Sequence, residues 1–214
     1  MKIALFDLDG TLLEGDTDVL WGELLTREGA FDHQTTASFQ EGYAAGDLNA
    51  DDFVERFLSP LKLYGHEACV AWRSTLLAEH ILPALRTSAL DRLEWHRERG
   101  DELVLATATN EFLTEPVASH LGIPHLIASP AARRGSQFTG ERAGPACFRE
   151  EKLRYVESWL GARGHTLKTV QAWFYSDSIN DLPLLDAVHH PVVVAPDERL
   201  AELATANGWE LIPS

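Results

Sequence analysis

Asp7 and Asp9 stand two residues apart directly after the apolar run Ile3-Ala4-Leu5-Phe6, in the word Asp7-Leu8-Asp9-Gly10-Thr11. In an extended chain, side chains at i and i+2 point to the same side. Two carboxylates held that close repel, so a cation or a shared proton is expected between them. Gly10 allows the chain to turn sharply after the pair. A second acidic word, Ser176-Asp177-Ser178-Ile179-Asn180-Asp181, follows the run Ala172-Trp173-Phe174-Tyr175. It puts Asp177 at a strand end and Asp181 in the first turn of the next helix. Either word alone is ordinarily a solvated turn or a helix cap. Both together, after two apolar strands, place several carboxylates at one sheet edge, where open α/β sheets bind ligands. Such a set suits a hard cation with oxygen ligands, Mg²⁺ above all.

Two further places could hold an anion. Leu103-Val104-Leu105-Ala106 leads into Thr107-Ala108-Thr109-Asn110, a strand ending in hydroxyl residues before a helix. Thr107 and the helix N-terminus there are suited to phosphate oxygens. Lys152 opens a helix after a Gly-, Ala-, Arg- and Ser-rich stretch at 131–145, which reads as a hairpin or an excursion loop.

The elements that must carry these residues alternate. These apolar runs, with Val192-Val193-Val194 and the weaker Leu126-Ile127-Ala128 and Leu211-Ile212, lack period-two alternation, as parallel strands covered on both faces do. Helical spacing fills 85–99, 111–121 and 150–162, and Asp197 caps a last helix ending near Gly208. The fold class is therefore α/β, a doubly wound parallel sheet. After the first strand the rhythm breaks. About four helices (roughly 17–28, 32–45, 50–63 and 66–81), punctuated by Gly29, Gly46, Gly65 and Pro83, precede the return to the sheet. A crossover needs one helix. The excess reads as a small α-helical cap at 16–83, inserted into a core made of 1–15 and 84–214.

Composition narrows the function classes. The chain has 214 residues, 45% hydrophobic and 24% charged, enough for one compact core and a small insert. Thirty-three acids against 18 bases give a net charge of -15, which argues against nucleic-acid and anionic-membrane partners. No apolar run reaches the roughly 18–20 residues that span a bilayer, and acids interrupt the N-terminal run too early for a signal peptide. Cys69 and Cys147 lie far apart with no C-x-x-C spacing, which points to a reducing cytoplasm. The nine histidines show no paired metal-ligand spacing; His189-His190 reads as a loop pair.

Taken together, the D-x-D-G-T at 7–11, the strand-end Thr107, Lys152 and the D-x-x-x-D at 177–181 resemble the haloacid dehalogenase superfamily, in its order and across the whole chain. The helical insertion resembles that superfamily's first cap type. The words T-A-T-N and S-D-S-x-N-D-L-P-L-L, Phe138-Thr139-Gly140 and the run Cys147 to Lys152 resemble its subfamily IB, which holds phosphoserine phosphatase and histidinol-phosphatase-like enzymes. Phosphoserine phosphatases usually carry S-G-G and G-D-G where this chain has Thr107-Ala108-Thr109 and Ser176-Asp177-Ser178, so the substrate stays open.

The resemblance implies a Mg²⁺-dependent phosphatase. Asp7 is then the nucleophile that forms an aspartyl-phosphate, and Asp9 the general acid and base. Thr107 binds phosphoryl oxygens and Lys152 offsets charge. The metal site comprises Asp7, Asp9 through its backbone carbonyl, and Asp177, with Asp181 orienting a bound water. The implied substrate is a small-molecule phosphate ester bound by Asp16, Asp18, Trp21, Thr107, Ala108, Asn110 and Asn180. Asp16 lies where phosphoserine phosphatases carry an acid for the substrate amine, so an amino-alcohol phosphate would suit it. Asp16 or Thr17 as a helix cap and Trp21 as cap core are the alternatives, and Arg56, Trp72 and Arg73 are weaker candidates. A monomer or homodimer is expected. The competing functions are a phosphotransferase or mutase, a phospho-Asp switch and a non-catalytic phospho-ligand binding module.

Overall fold

A computed structural model describes residues 1–31 and 49–213; the helix expected at 32–45 lies outside the described residues. Strand β1 (Lys2–Phe6) is followed by helices α1 (Thr17–Arg27), α2 (Ala50–Leu58) and α3 (Pro60–Leu76). Then come α4 (Thr87–Glu98), β2 (Glu102–Asn110), α5 (Glu111–His120), β3 (His125–Ser129), β4 (Ala131–Arg134) and β5 (Gln137–Arg142). The chain closes with α6 (Glu150–Gly161), β6 (Gln171–Ser176), the short α7 (Leu182–Leu185), β7 (His190–Val194), α8 (Glu198–Asn207) and β8 (Glu210–Ile212).

Six strands form one parallel sheet in the order β3-β2-β1-β6-β7-β8. The doubly wound α/β reading is borne out, and both faces explain the uninterrupted apolar runs. Ile3 and Leu5 of β1 pack with Val104, Phe174, Val156 and Leu200 on one face; Ala4 and Phe6 pack with Leu103, Leu105, Leu93 and Phe112 on the other. Central β1 pairs Phe6 with Leu105 and with Tyr175, so the residues that follow on three strands emerge side by side at one edge.

Several boundaries differ from the expectation. The helix expected at 50–63 divides at Ser59, because Pro60 takes the first position of α3 and supplies no N–H to continue α2. Gly65 breaks α3 with φ of 83°, and the helix expected to reach 81 changes pitch to a π turn at Leu77–Ile81. Strand β2 runs on to Asn110, with its register to β3 shifting between Ala106 and Asn110. His190 starts β7 rather than a loop, its ring stacked on Trp173 at 4.2 Å between centroids.

The stretch at 131–145 is an antiparallel hairpin of β4 and β5. It supports the inserted helices. A Cβ on Gly140 would lie 2.9 Å from the Lys62 backbone N and 3.0 Å from the Leu58 carbonyl, so only glycine allows this approach. Phe138 packs edge-on to Phe112, with centroids 5.4 Å apart. The chain enters and leaves the insertion through paired segments: Glu14 N–H donates to the Ala84 carbonyl and Arg86 N–H to the Leu12 carbonyl, both at 2.8 Å. Among the described residues no helix is long and apolar enough to cross a membrane.

Candidate active site

Asp7 leaves the end of β1 almost buried, its N–H donating to the Tyr175 carbonyl at 2.9 Å. The next residues bind the first acidic word to the second. Gly10 has φ of 74°, and a Cβ there would lie 2.1 Å from Asp177 Oδ2; glycine is required on both counts. Thr11 Oγ1 donates to Asp177 Oδ1 at 3.0 Å and accepts from the Asp177 N–H at 3.0 Å.

Lys152 is not a solvated charge. It is 2% exposed, with Nζ 3.0 Å from Asp7 Oδ1 and 2.8 Å from Asp181 Oδ2. Ser176 Oγ also donates to Asp181 Oδ2, at 2.7 Å. Burial alone would push the Lys152 ammonium's pKa down, but Asp181 and Asp7 outweigh it and hold it above its usual range. Helix α6 presents Lys152 after Arg149, whose φ of 52° is rare for a side-chain-bearing residue. Arg149 Nε donates to Asn180 Oδ1 at 3.1 Å.

Asp9 is held at both oxygens. Oδ1 accepts from the Thr17 N–H at 2.6 Å and Oδ2 from Thr109 Oγ1 at 2.7 Å. Burial, then Asp16, raise its pKa to about 6 against those two bonds. Thr109 Oγ1 also lies 3.1 Å from Asp18 Oδ2. Thr107 is fully buried and its Oγ1 accepts from the Thr109 N–H at 3.1 Å, which leaves its own O–H to donate.

These groups border one cavity of about 90 Å³ between the sheet edge and the inserted helices. Asp7, Asp9, Asp16, Asp18, Thr107, Ala108, Lys152, Asp177, Asn180 and Asp181 all line it. Two of the expected substrate residues do not. Trp21 is fully buried, its Nε1–H donating to the Phe57 carbonyl at 3.1 Å, so it packs within the helical insertion. Asn110 caps α5, its Oδ1 accepting from the Leu113 N–H at 3.2 Å. Arg73 instead spans from α3 to the Phe112 carbonyl at 2.6 Å. Sequence reasoning gave no catalytic or binding role to Thr11, Thr109, Ser176 or Arg149. For the first three the signal was present, as hydroxyls inside the acidic and strand-end words. Arg149 carried none.

The donors at the Asp7–Asp177 edge are all hard oxygens. Burial, with Asp181, Asp177 and Asp9 adding, drives the Asp7 pKa up against Lys152. Burial likewise raises Asp177 to about 6. A bound cation would offset the charge of this crowded set. Among the described residues no three His, Cys, Asp or Glu side chains form a metal cage by themselves. Mg²⁺ does not need one, since it keeps several waters and takes one or two carboxylates. Asp7, Asp177 and a backbone carbonyl fit that demand. Asp181 is engaged by Lys152 and Ser176, which suits a place behind the ligands.

Comparison with known proteins gives a consistent picture. A curated histidinol-phosphatase of Neisseria meningitidis is 34% identical over 99% of this chain and 98% of its own. A crystal structure of a Bordetella pertussis protein of unknown function superposes with a TM-score of 0.91 at 37% identity, covering 99% of this chain and 97% of that one. A substrate-bound phosphoserine phosphatase, at 17% identity and a TM-score of 0.66 over 100% of this chain and 93% of its own, shares the fold. The family model for haloacid dehalogenase-like hydrolases matches residues 4–186, from β1 through α7 and so across every acidic residue of the cavity. The chain belongs to the haloacid dehalogenase-like hydrolase family.

Proposed function

We propose that the protein is a Mg²⁺-dependent phosphomonoesterase that hydrolyses a small amino-alcohol phosphate, such as histidinol phosphate or phosphoserine, through an aspartyl-phosphate on Asp7. The observation that carries this reading is the buried contact of Lys152 with Asp7 at 3.0 Å, beside an Asp9 whose pKa stands near 6. One carboxylate is paired with a fixed cation and suits a nucleophile. The other is poised to give and take a proton near neutrality.

In the first half-reaction Asp7 attacks phosphorus. The new Oδ–P bond forms as the P–O bond to the leaving group breaks, and Asp9 donates its proton to the departing oxygen. In the second, Asp9 takes a proton from water as the water oxygen attacks phosphorus and the Asp7–P bond breaks. Thr107 and the backbone N–H groups after it hold phosphoryl oxygens. Lys152 compensates charge on Asp7 and the phosphate. Mg²⁺, held by Asp7, the Asp9 carbonyl and Asp177 with Asp181 behind them, would supply further positive charge against the phosphoryl oxygens.

We take residues 16–83 as the cap that sets substrate choice and 1–15 with 84–214 as the catalytic core. The cap contributes Asp16, Asp18, Phe53 and Val54 to the cavity wall. The two buried, unpaired cysteines support a cytoplasmic location. A steady-state screen of phosphomonoesters with and without EDTA tests the reading: hydrolysis that EDTA stops and Mg²⁺ restores is expected. Metal-independent turnover, or transfer of the phosphoryl group to an added alcohol in preference to water, would contradict it.

A further inference from the structure

The cavity that is to receive a phosphate ester is itself acidic. Six carboxylates line it, and among the described residues Lys152 is the one Lys or Arg on its wall, already engaged by Asp7 and Asp181. Residues 32–48 contain neither Lys nor Arg. An anionic ester that approaches a chain of net charge -15 therefore gains from a cation fixed where the wall meets solvent. Arg149 is such a cation. It is exposed, yet its side chain is held against two half-buried residues of the wall. Its Nε donates to Asn180 Oδ1 at 3.1 Å, and its guanidinium carbon lies 4.9 Å from the centre of the Phe148 ring. Among the described residues its two terminal nitrogens have no hydrogen-bond or ion-pair partner.

The backbone singles out the same residue. Arg149 has φ of 52° and ψ of -122°, and its carbonyl accepts from the Lys152 N–H at 3.1 Å as α6 begins. Glycine adopts such a conformation freely, whereas a residue with a Cβ is strained there by about 1–3 kcal/mol. Glycine would deliver Lys152 with less strain, so delivery alone does not account for an arginine at this turn. The side chain does. It presents a fork of donors that suits phosphate oxygens. Asn180 and Phe148 fix that fork in advance, so little freedom is lost on binding.

We infer that Arg149 is a further substrate-binding residue, which holds a phosphate oxygen of the bound ester from the rim of the cavity and so sets affinity rather than the rate of the chemical step. This rests on the phosphatase reading and adds a contact on the phosphate side, whatever the leaving group. Lys152 and Thr107 are buried and act on the phosphoryl group where it reacts. Arg149 acts from the rim, because Nε is tied to Asn180 and the guanidinium stays beside the half-buried part of the wall.

Arg149→Gly removes the side chain and relieves the turn, so the fold is expected to persist. With the Mg²⁺-loaded enzyme and p-nitrophenyl phosphate at low salt, kcat/KM should fall about tenfold, the effect of one charged hydrogen bond lost. The loss should lie in KM, with kcat kept, as when binding common to ground and transition states is removed. The ratio of parent to variant should shrink toward one as salt rises to about 0.5 M, because an exposed charge is screened. Arg149→Glu should raise KM beyond the glycine variant, with a gap that closes in the same way. A loss in kcat of one size at every salt concentration would overturn the inference, since misplacement of Lys152 would act so. An unchanged KM, or a glutamate variant no worse than the glycine one, would also overturn it. Calorimetry with inorganic phosphate on the Mg²⁺-loaded protein reads the same contact without turnover. If no ester is hydrolysed, the phosphatase reading fails and phosphate binding still decides Arg149. Binding weakened about tenfold in Arg149→Gly supports it; equal binding, or none by the parent, overturns it.

Discussion

The Lys152 ammonium and the Asp7 carboxylate meet at 3.0 Å with both side chains buried, although 145 positions separate them in the chain. The contact joins α6 to the end of β1. Because both groups are nearly buried, each depends on the other. Lys152→Met removes the cation while roughly keeping volume. Catalytic turnover is expected to fall on the order of 10²–10³-fold, as when one preorganised electrostatic partner is lost. Leaving Asp7 and Asp181 uncompensated should also cost about 3–5 kcal/mol in stability without Mg²⁺. Steady-state kinetics and urea denaturation in EDTA read the two effects separately.

Gly10→Ala tests the approach of the two acidic words. Its Cβ would meet Asp177 Oδ2 at 2.1 Å, in a backbone conformation that L side chains rarely adopt. Asp177 must move, and Mg²⁺ affinity by calorimetry is expected to fall at least about tenfold, a cost of roughly 1.4 kcal/mol. Unchanged affinity would remove Asp177 from the metal site.

Asp9 carries a pH signature. Acting as an acid, it must be protonated, so kcat/KM should decline as pH rises through the neighbourhood of 6, where burial has placed its pKa. Thr109 bonds the carboxylate form, so Thr109→Val should raise the Asp9 pKa further and move the declining limb to higher pH. A limb that stays in place would assign it to another group.

Stability should depend on pH in the sense set by raised acids. Asp9 and Asp177 each stand near 6 in the folded chain against 3.8 ordinarily, so the folded state holds more protons between those values. In EDTA the melting temperature should therefore fall as pH rises from about 4 to 6. Saturating Mg²⁺ stabilises the ionised carboxylates and should flatten that fall while raising the melting temperature throughout. At 100 times its dissociation constant the ion adds about 2.7 kcal/mol. Differential scanning calorimetry with and without the ion checks both.

What the sequence made legible follows from how local each feature is. Asp7, Asp9 and Gly10 are chain neighbours at the end of an apolar strand, so strand geometry alone placed them. The parallel sheet was legible because Ile3 to Phe6 and Ala172 to Tyr175 are buried on both faces. Lys152 carried no local signal, and only its order among motifs in a known family pointed to the cavity. The Thr109–Asp9 and Thr11–Asp177 contacts span 100 and 166 positions and depend on strand register that no short word encodes. Asn110 stands directly before Glu111, the place of a helix cap, and that is the role its side chain plays. Trp21 stood open between cavity wall and cap core, because one amphipathic helix cannot show which side faces the cavity.

Direct capture of the phosphoenzyme tests the central claim. Rapid acid quench during turnover of a hydrolysed ester, followed by borohydride reduction and peptide mass spectrometry, should find Asp7 converted to homoserine, with no such conversion at Asp9 or Asp177. Turnover with no reducible aspartyl-phosphate, or with the phosphate trapped at another residue, would contradict Asp7 as the nucleophile.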